Sequence, residues 1–224
     1  CSLCWRIEMA HWINVEECWW PNGTMPYSIS DDFPPPNENP DSRREWVVYA
    51  IREMNKLRER TGLTLTEKTQ EDPHSVVFVR SEGSCSSMVG MQGGVQQIRC
   101  DVGDGFGVDS VMHEIMHAAG IYHEHTRPDR KAYVRIMKDV IDPDKLHNFE
   151  KPSMPVGHTD DYDYKSLMHY HQYACLDDGY SGPSIICWND EHGRQDYCPT
   201  TMGKVTRPSD LDIQGLAQIY KRGK

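Results

Sequence analysis

Along the first half of the chain the hydrophobic positions switch between a strand period and a helix period, and the switches outline its elements. Met25 to Ile29 (MPYSI) reads as a strand. The tract FPPPNENP (33–40) must be a loop, because proline cannot join a central ladder. From Ser42 to Arg60 the residues Trp46, Val47, Ala50, Ile51, Met54 and Leu57 fall on one helical stripe. Ser42 and Glu45 form a capping box at its start, and Gly62 stands where a C-terminal cap belongs. Short β-type runs follow at LTLTE (63–67), SVVFV (75–79), SSMVG (86–90) and VQQIR (95–99), with Gly83, Gly90, Gly93 and Gly94 as turns. A second helix is predicted from about Asp109 to Ala119, with Asp109 as its N-cap. After Tyr133 the pattern is that of turns, and clear order is expected again only in a last helix. Ser209 caps that helix, and Asp210 and Asp212 in its first turn suit the helix dipole. Residues 1–20, rich in Trp and Cys, read as an ordered extension tied down by disulfides.

The second helix carries the chemistry. His113, Glu114, His117, Gly120 and His123 occur there as HEIMHAAGIYH. At 3.6 residues per turn His113 and His117 lie one above the other, so both imidazoles reach a single cation. Gly120 accepts the left-handed conformation that stops the helix and turns His123 in as a third ligand. Three neutral imidazoles leave one position of a zinc ion open, which is a catalytic layout rather than a structural one. Such an ion lowers the pKa of a bound water toward about 7, and Glu114 is placed to take that proton and pass it to a leaving amine. A bare HExxH also arises on solvated helix faces. The added glycine and third histidine remove most of that alternative.

Composition narrows the setting. The 224 residues carry 34 Asp and Glu against 24 Lys and Arg, a net charge of −10, which excludes a general nucleic-acid binder. With 38% hydrophobic and 26% charged residues the composition is that of a globular protein. No apolar run approaches the roughly 20 residues that span a bilayer. Eight cysteines in a chain long enough to bury a core without them point to an oxidising compartment. Cys175, Cys187 and Cys198 are too widely spaced for a zinc ribbon. The opening CSLCW has no signal-peptide character, so the chain reads as already processed, and Asn22-Gly23-Thr24 is a glycosylation sequon consistent with secretion.

Downstream of the third histidine lies SLMHY, Ser166 to Tyr170. HEIMHAAGIYHE with SLMHY resembles the metzincin zinc endopeptidases, and Glu124 directly after His123 makes the chain resemble the astacin family in particular. WPNGTMPYSI, SMVGMQGGVQQI and HEHTRPDRKAYVRI are similar to the astacin catalytic domain as well, so the resemblance runs from about Trp20 to the last helix. It implies an α+β, two-lobed fold. A twisted N-terminal sheet with two long helices would extend to about residue 123, followed by an irregular C-terminal lobe ending in a helix. Residues 1–19 would then be an extension and 20–224 the catalytic domain. The resemblance further implies one catalytic zinc held by His113, His117 and His123, with Glu114 as general base. Met168 would support the zinc from below. Tyr170 would be a fifth ligand at rest that swings away to hydrogen-bond the oxyanion. Glu124 would lie near the amino terminus of the mature enzyme. The strand around Cys85 to Val89 is implied as the upper cleft edge, where an extended protein or peptide substrate adds as an antiparallel strand. The expectation is a secreted, monomeric zinc metalloendopeptidase. A non-catalytic binding module on the same scaffold would require loss of a ligand or of the base, and all four residues are present.

Some features depart from the family. By the resemblance, Cys85 and Cys100 match the bridge of the N-terminal lobe, while both partners of the other usual bridge are missing from RTGLTLT and QIYKRGK. That leaves Cys1, Cys4, Cys18, Cys175, Cys187 and Cys198 with their pairing open, and at least one bridge is expected to tie the extension to the C-terminal lobe. Alternatively, an extension cysteine ligates the zinc and keeps the chain latent, although no Phe-x-Gly-Asp motif is present. The family tends to favour acidic residues just after the scissile bond, which a charge of −10 opposes unless a local cation reverses the field. Arg127, Arg130 and Arg194 are the candidates. His11, His74, His125, His147, His158, His169, His171 and His192 read as surface or hydrogen-bonded side chains.

Overall fold

The computed structural model describes residues 11–33, 44–101, 106–158, 160–189, 194–195 and 198–221. Along these run β1 (Trp12–Ile13), β2 (Thr24–Ile29), α1 (Arg44–Lys56), α2 (Arg58–Thr61), β3 (Thr64–Glu67), β4 (Ser75–Ser81), β5 (Ser86–Ser87), β6 (Val95–Asp101) and α3 (Val108–Ala118). The second half adds β7 (Val134–Ile136), β8 (Val156–Gly157), β9 (Ile185–Asn189), β10 (Arg194–Gln195) and α4 (Asp210–Tyr220), joined by short 3-10 turns.

The N-terminal lobe is a five-stranded sheet in the order β3-β2-β4-β6-β5. Its strands are parallel except β5, which runs antiparallel to β6 at the edge and pairs Ser86 with Arg99 and Ser87 with Ile98. Val76 and Phe78 of β4 and Ile98 of β6 are fully buried against Val47, Ala50, Ile51 and Met54 of α1 and Val111, Met112, Ile115 and Met116 of α3. Removing such side chains from water is the main favourable term of folding. Two helices on one face of a mixed sheet, followed by a second small sheet, make an α+β fold.

The helix predicted over 42–60 is interrupted. It stops at Lys56 and resumes as the single turn α2, whose last residue is followed by Gly62 in the left-handed region at φ 78° with its N–H on the Arg58 carbonyl. The break follows from a tertiary tie: the Asn55 side chain accepts from the Leu65 N–H (2.8 Å) and donates to the Leu65 carbonyl (2.9 Å), which pulls β3 back along the helix. The proposed cap Ser42 lies outside the described residues. In α3 the cap is Gly107, not Asp109, because Ser110 Oγ accepts from the Gly107 N–H and starts the helix one residue early.

The chain after Tyr133 is more ordered than its turn-rich composition implies. A three-stranded antiparallel sheet, β10-β9-β7, forms there around a second core of Val134, Ile141, Phe149, Tyr162, Ile185, Cys187 and Met202. Cys187 and Cys198 form a disulfide within this lobe. The expected tie from the extension to this lobe is not seen: Cys18 and Cys175 are both unbridged, and Cys1 and Cys4 lie outside the described residues. The segment is held by backbone pairing instead. Trp12 and Ile13 pair with Gly157 and Val156 of β8, Trp12 bridges to Ile121, and the Ile13 N–H bonds the Gly120 carbonyl. Cys85 and Cys100, expected as a bridge, stand as separate thiols, with Cys85 Sγ accepting from the Asp101 N–H at 3.2 Å.

Candidate metal centre and cleft

Helix α3 delivers His113 and His117 one turn apart and then has to stop. Ala119 closes it and Gly120 follows at φ +100°, a conformation side chains with a Cβ rarely adopt. A Cβ on Gly120 would also lie 2.9 Å from Ile13 Cγ2 and 3.2 Å from Ile219 Cδ1. Gly120→Ala is therefore expected to cost about 1–3 kcal/mol through strain and overpacking and to weaken metal retention by displacing His123. Thermal melting with a zinc titration checks both.

The three histidines converge. The Nε2 atoms of His113 and His117 each lie 3.1 Å from Nε2 of His123, and one donor atom from each ring falls within 4.8 Å of the others. The tautomers follow from the other ring nitrogens. Nδ1 of His113 donates to the Leu167 carbonyl at 2.9 Å, and Nδ1 of His117 donates to the Ile121 carbonyl at 2.7 Å. Both Nε2 atoms are left as lone pairs aimed at one point. Burial holds all three imidazoles below their ordinary pKa, so they remain neutral ligands. Neutral imidazoles with their outer N–H groups tied to carbonyls are the donor set zinc takes.

Glu114 sits beside this cluster with 6% of its surface exposed and with Oε2 lacking a hydrogen-bond partner among the described residues. Burial pushes its carboxyl up to about 8. Tyr170 brings its ring to 4.5 Å from that of His123 and stacks on His125 at 4.3 Å. Met168 is fully buried in the main core, and its N–H bonds Ser166 Oγ. All of these line or underlie an open cleft of about 510 Å³ whose upper edge is formed by Cys85, Ser86 and Ser87.

Glu124 faces away from the cleft. Its carboxylate accepts from Arg127 (3.0 Å) and from the Asp163 N–H (2.9 Å), while its own N–H bonds the Met168 carbonyl. His11 Nδ1 donates to the His123 carbonyl at 3.3 Å, so the start of the described chain braces the third histidine from behind.

Comparison with known proteins gives a consistent match. Residues 12–221 fit the family model described as Astacin, a family of peptidases. This chain belongs to the astacin family. Among curated relatives it is 31% identical over 208 residues to zinc metalloproteinase nas-14 of Caenorhabditis elegans, covering 92% of this chain and 38% of that protein. It is 34% identical over 207 residues to bone morphogenetic protein 1 of Xenopus laevis, covering 90% of this chain and 27% of that one. The chain thus spans well under half the length of these relatives. Among solved structures, high choriolytic enzyme 1, a hatching enzyme zinc-protease from Oryzias latipes, superposes with a TM-score of 0.75 at 27% identity, over 92% of this chain and 96% of that one.

Set against the astacin pattern, the structure collects His113, Glu114, His117, His123 and Tyr170 at one cleft, with Met168 in the core beneath and Glu124 turned into the protein. It does not bring the expected cations to the cleft: Arg127 is fully buried on Glu124 and Asp129, and Arg130 donates to the His125 and Phe149 carbonyls. The side chain of Arg194 lies outside the described residues. Two carboxylates carry roles that the sequence alone did not assign. Asp109 lines the cleft. Asp212 of α4 is buried and accepts from Ser166 Oγ (2.7 Å) and from the N–H groups of Leu167 (2.8 Å) and Ser209 (2.9 Å). It thereby holds the turn whose carbonyl fixes His113. His11, His125 and His169 are buried, and Nε2 of His11 and Nδ1 of His125 have no hydrogen-bond partner among the described residues.

Proposed function

We propose that this chain is a secreted zinc endopeptidase in which His113, His117 and His123 hold one zinc ion and Glu114 moves the proton of peptide hydrolysis. The observation that carries the reading is the meeting of three Nε2 atoms beside an unpartnered Glu114 oxygen, in a cleft open to solvent along a strand edge. Zinc in that position would act as a Lewis acid on a peptide carbonyl and would acidify the attacking water.

The chain supplies the rest. Strand β5 has β6 on one side only, so its other edge can receive an extended substrate through main-chain hydrogen bonds. A strand added there runs along the same cleft as the histidine cluster without demanding a particular sequence. Glu114 takes the proton of the nucleophile and gives it to the departing amine nitrogen. Tyr170, its ring packed by His125 and Phe149, presents a phenol that can donate to the oxygen gaining charge. Met168, buried beneath, keeps the floor of the cluster apolar. The Cys187–Cys198 bridge and the exposed Asn22 sequon support an oxidising, extracellular setting. A monomer suffices, since every group named belongs to one chain.

Metal removal tests this reading. Purified protein is expected to hold one zinc per chain, to lose proteolysis of a protein substrate on chelation, and to regain it when zinc is restored. Chelator-insensitive cleavage, or a zinc-loaded chain without proteolytic activity, would overturn it.

A further inference from the structure

The carboxyl side chains that line the cleft are Asp109 and Glu114, with no Lys or Arg among the described lining residues. Glu114 is committed to proton transfer in the proposed endopeptidase, and the role assigned below to its neighbour rests on that function. Asp109 has no such commitment. It occupies the second position of α3, one turn before His113 and on the same face, so its Cα stands about 6 Å along the axis from that of His113. It lines the same cavity as His113 of the helix and Cys85 of the strand edge.

The position of this carboxylate is built into the backbone. A Cβ on Gly107 would lie 2.6 Å from Asp109 Oδ1, so the side chain folds back through space that only glycine leaves open. Asp109 makes no hydrogen bond or ion pair among the described residues, and it is half-exposed toward the cavity. The arginines that could have reversed the local field are turned away, as Arg127 and Arg130 both bond within the protein. Lys204, between the lining residues Gly203 and Val205, and Arg99, paired with the lining residue Ser86 across the sheet, are both exposed and stay outside the lining itself.

We propose that Asp109 determines specificity by accepting a lysine or arginine side chain of the substrate next to the scissile bond. The long stem of either residue reaches a carboxylate one helical turn from His113, and a charge-assisted hydrogen bond in a partly desolvated cleft discriminates strongly. An acidic side chain at the same place meets the Asp109 carboxylate, with no Lys or Arg among the described lining residues to offset it.

Two measurements test this together. The first cleaves matched peptides differing only in Lys, Ala or Glu at each position flanking the scissile bond. Wild type is expected to favour Lys over Glu by about 10-fold or more in kcat/KM at one of those positions. Asp109→Asn brings that ratio close to one, and Asp109→Lys inverts it. If Asp109 served only the helix terminus, the variants would lower the melting temperature and leave the ratio where it was, which would overturn the proposal. The second measures binding of the same peptides to zinc-loaded Glu114→Gln protein by calorimetry, independently of turnover. Tighter binding of the Lys peptide supports the assignment even if wild type cleaves nothing, a failure that would fall on the endopeptidase reading alone. Equal binding, or tighter binding of the Glu peptide, overturns it.

Discussion

Glu114→Gln is expected to lower kcat for peptide hydrolysis by on the order of 10²- to 10⁴-fold, the usual share of a positioned general base, while zinc stays bound. The substitution is unusually clean. Glu114 Oε2 has no hydrogen-bond partner among the described residues, so the isosteric amide breaks no network at that atom and creates no cavity. Stability should not suffer either. Burial raises the carboxyl to about 8, far above the roughly 4.3 of an exposed glutamate. A group whose folded pKa is raised makes the fold less stable as pH climbs through that window, because the unfolded chain ionises first. The neutral Gln side chain carries no such penalty, so metal-free variant protein should melt at or above the wild-type temperature at pH 7. Steady-state kinetics, metal analysis and melting curves on one preparation separate these outcomes. Retained turnover in the variant would remove Glu114 from the chemistry, and lost zinc would make it a structural neighbour of the site.

What was legible in the sequence was legible for local reasons. His113 and His117 share a face because of helix geometry, and Gly120 must leave the right-handed region for His123 to return, so eleven consecutive residues specify most of the cluster. Strands β2, β3, β4 and β6 were readable because short β-branched and aromatic runs sit between glycine and proline turns. Other features depend on distant contacts. The break at Leu57 follows from Asn55 gripping Leu65, although the apolar stripe runs straight through it. Strand β9 holds a short Ile-Ile-Cys run hidden among turn formers, and its pairing with β7 and β10 makes it a strand. SSMVG reduces to the pair Ser86–Ser87, since Gly90 leaves the ladder at φ 77°. Cysteine spacing says nothing of pairing, and the Cys187–Cys198 bridge could be found only once β9 had folded back on its neighbours.

Asp212 shows the same limit and carries the second large effect. In sequence it is the N3 partner of the Ser209 cap and an acidic residue suited to the helix dipole. In the fold it also reaches 45 residues back, to the N–H of Leu167 and the hydroxyl of Ser166. The Leu167 carbonyl then fixes Nδ1 of His113, and the Ser166 hydroxyl accepts from the Met168 N–H. Asp212→Ala leaves two buried donors and one partly buried donor without an acceptor, at roughly 1–3 kcal/mol apiece when unsatisfied and less where the site relaxes, so a loss of about 3–5 kcal/mol is expected. Because His113 loses its orienting support, zinc affinity should fall about 10- to 100-fold in the fraction that remains folded. Asp212→Asn should recover most of both. Its one oxygen can keep the two N–H donors that share Oδ2, and its amide can donate to Ser166 Oγ with the hydroxyl turned to accept. The charge itself leaves a signature. Burial and the neighbouring Asp163 raise the Asp212 carboxyl to about 6. Wild type should therefore lose stability relative to the Asn variant as pH rises from about 4 to about 6, since the unfolded chain ionises first. Ser209→Ala serves as the control, removing the cap on the Asp212 N–H and the hydroxyl's bond to the Asp163 carboxylate while leaving the contacts to Ser166 and Leu167. That change should cost about 1–3 kcal/mol without moving zinc affinity. Equal loss of zinc affinity in the Ser209 and Asp212 alanine variants would reduce Asp212 to a helix cap, whereas loss confined to Asp212→Ala places the last helix in control of the first histidine.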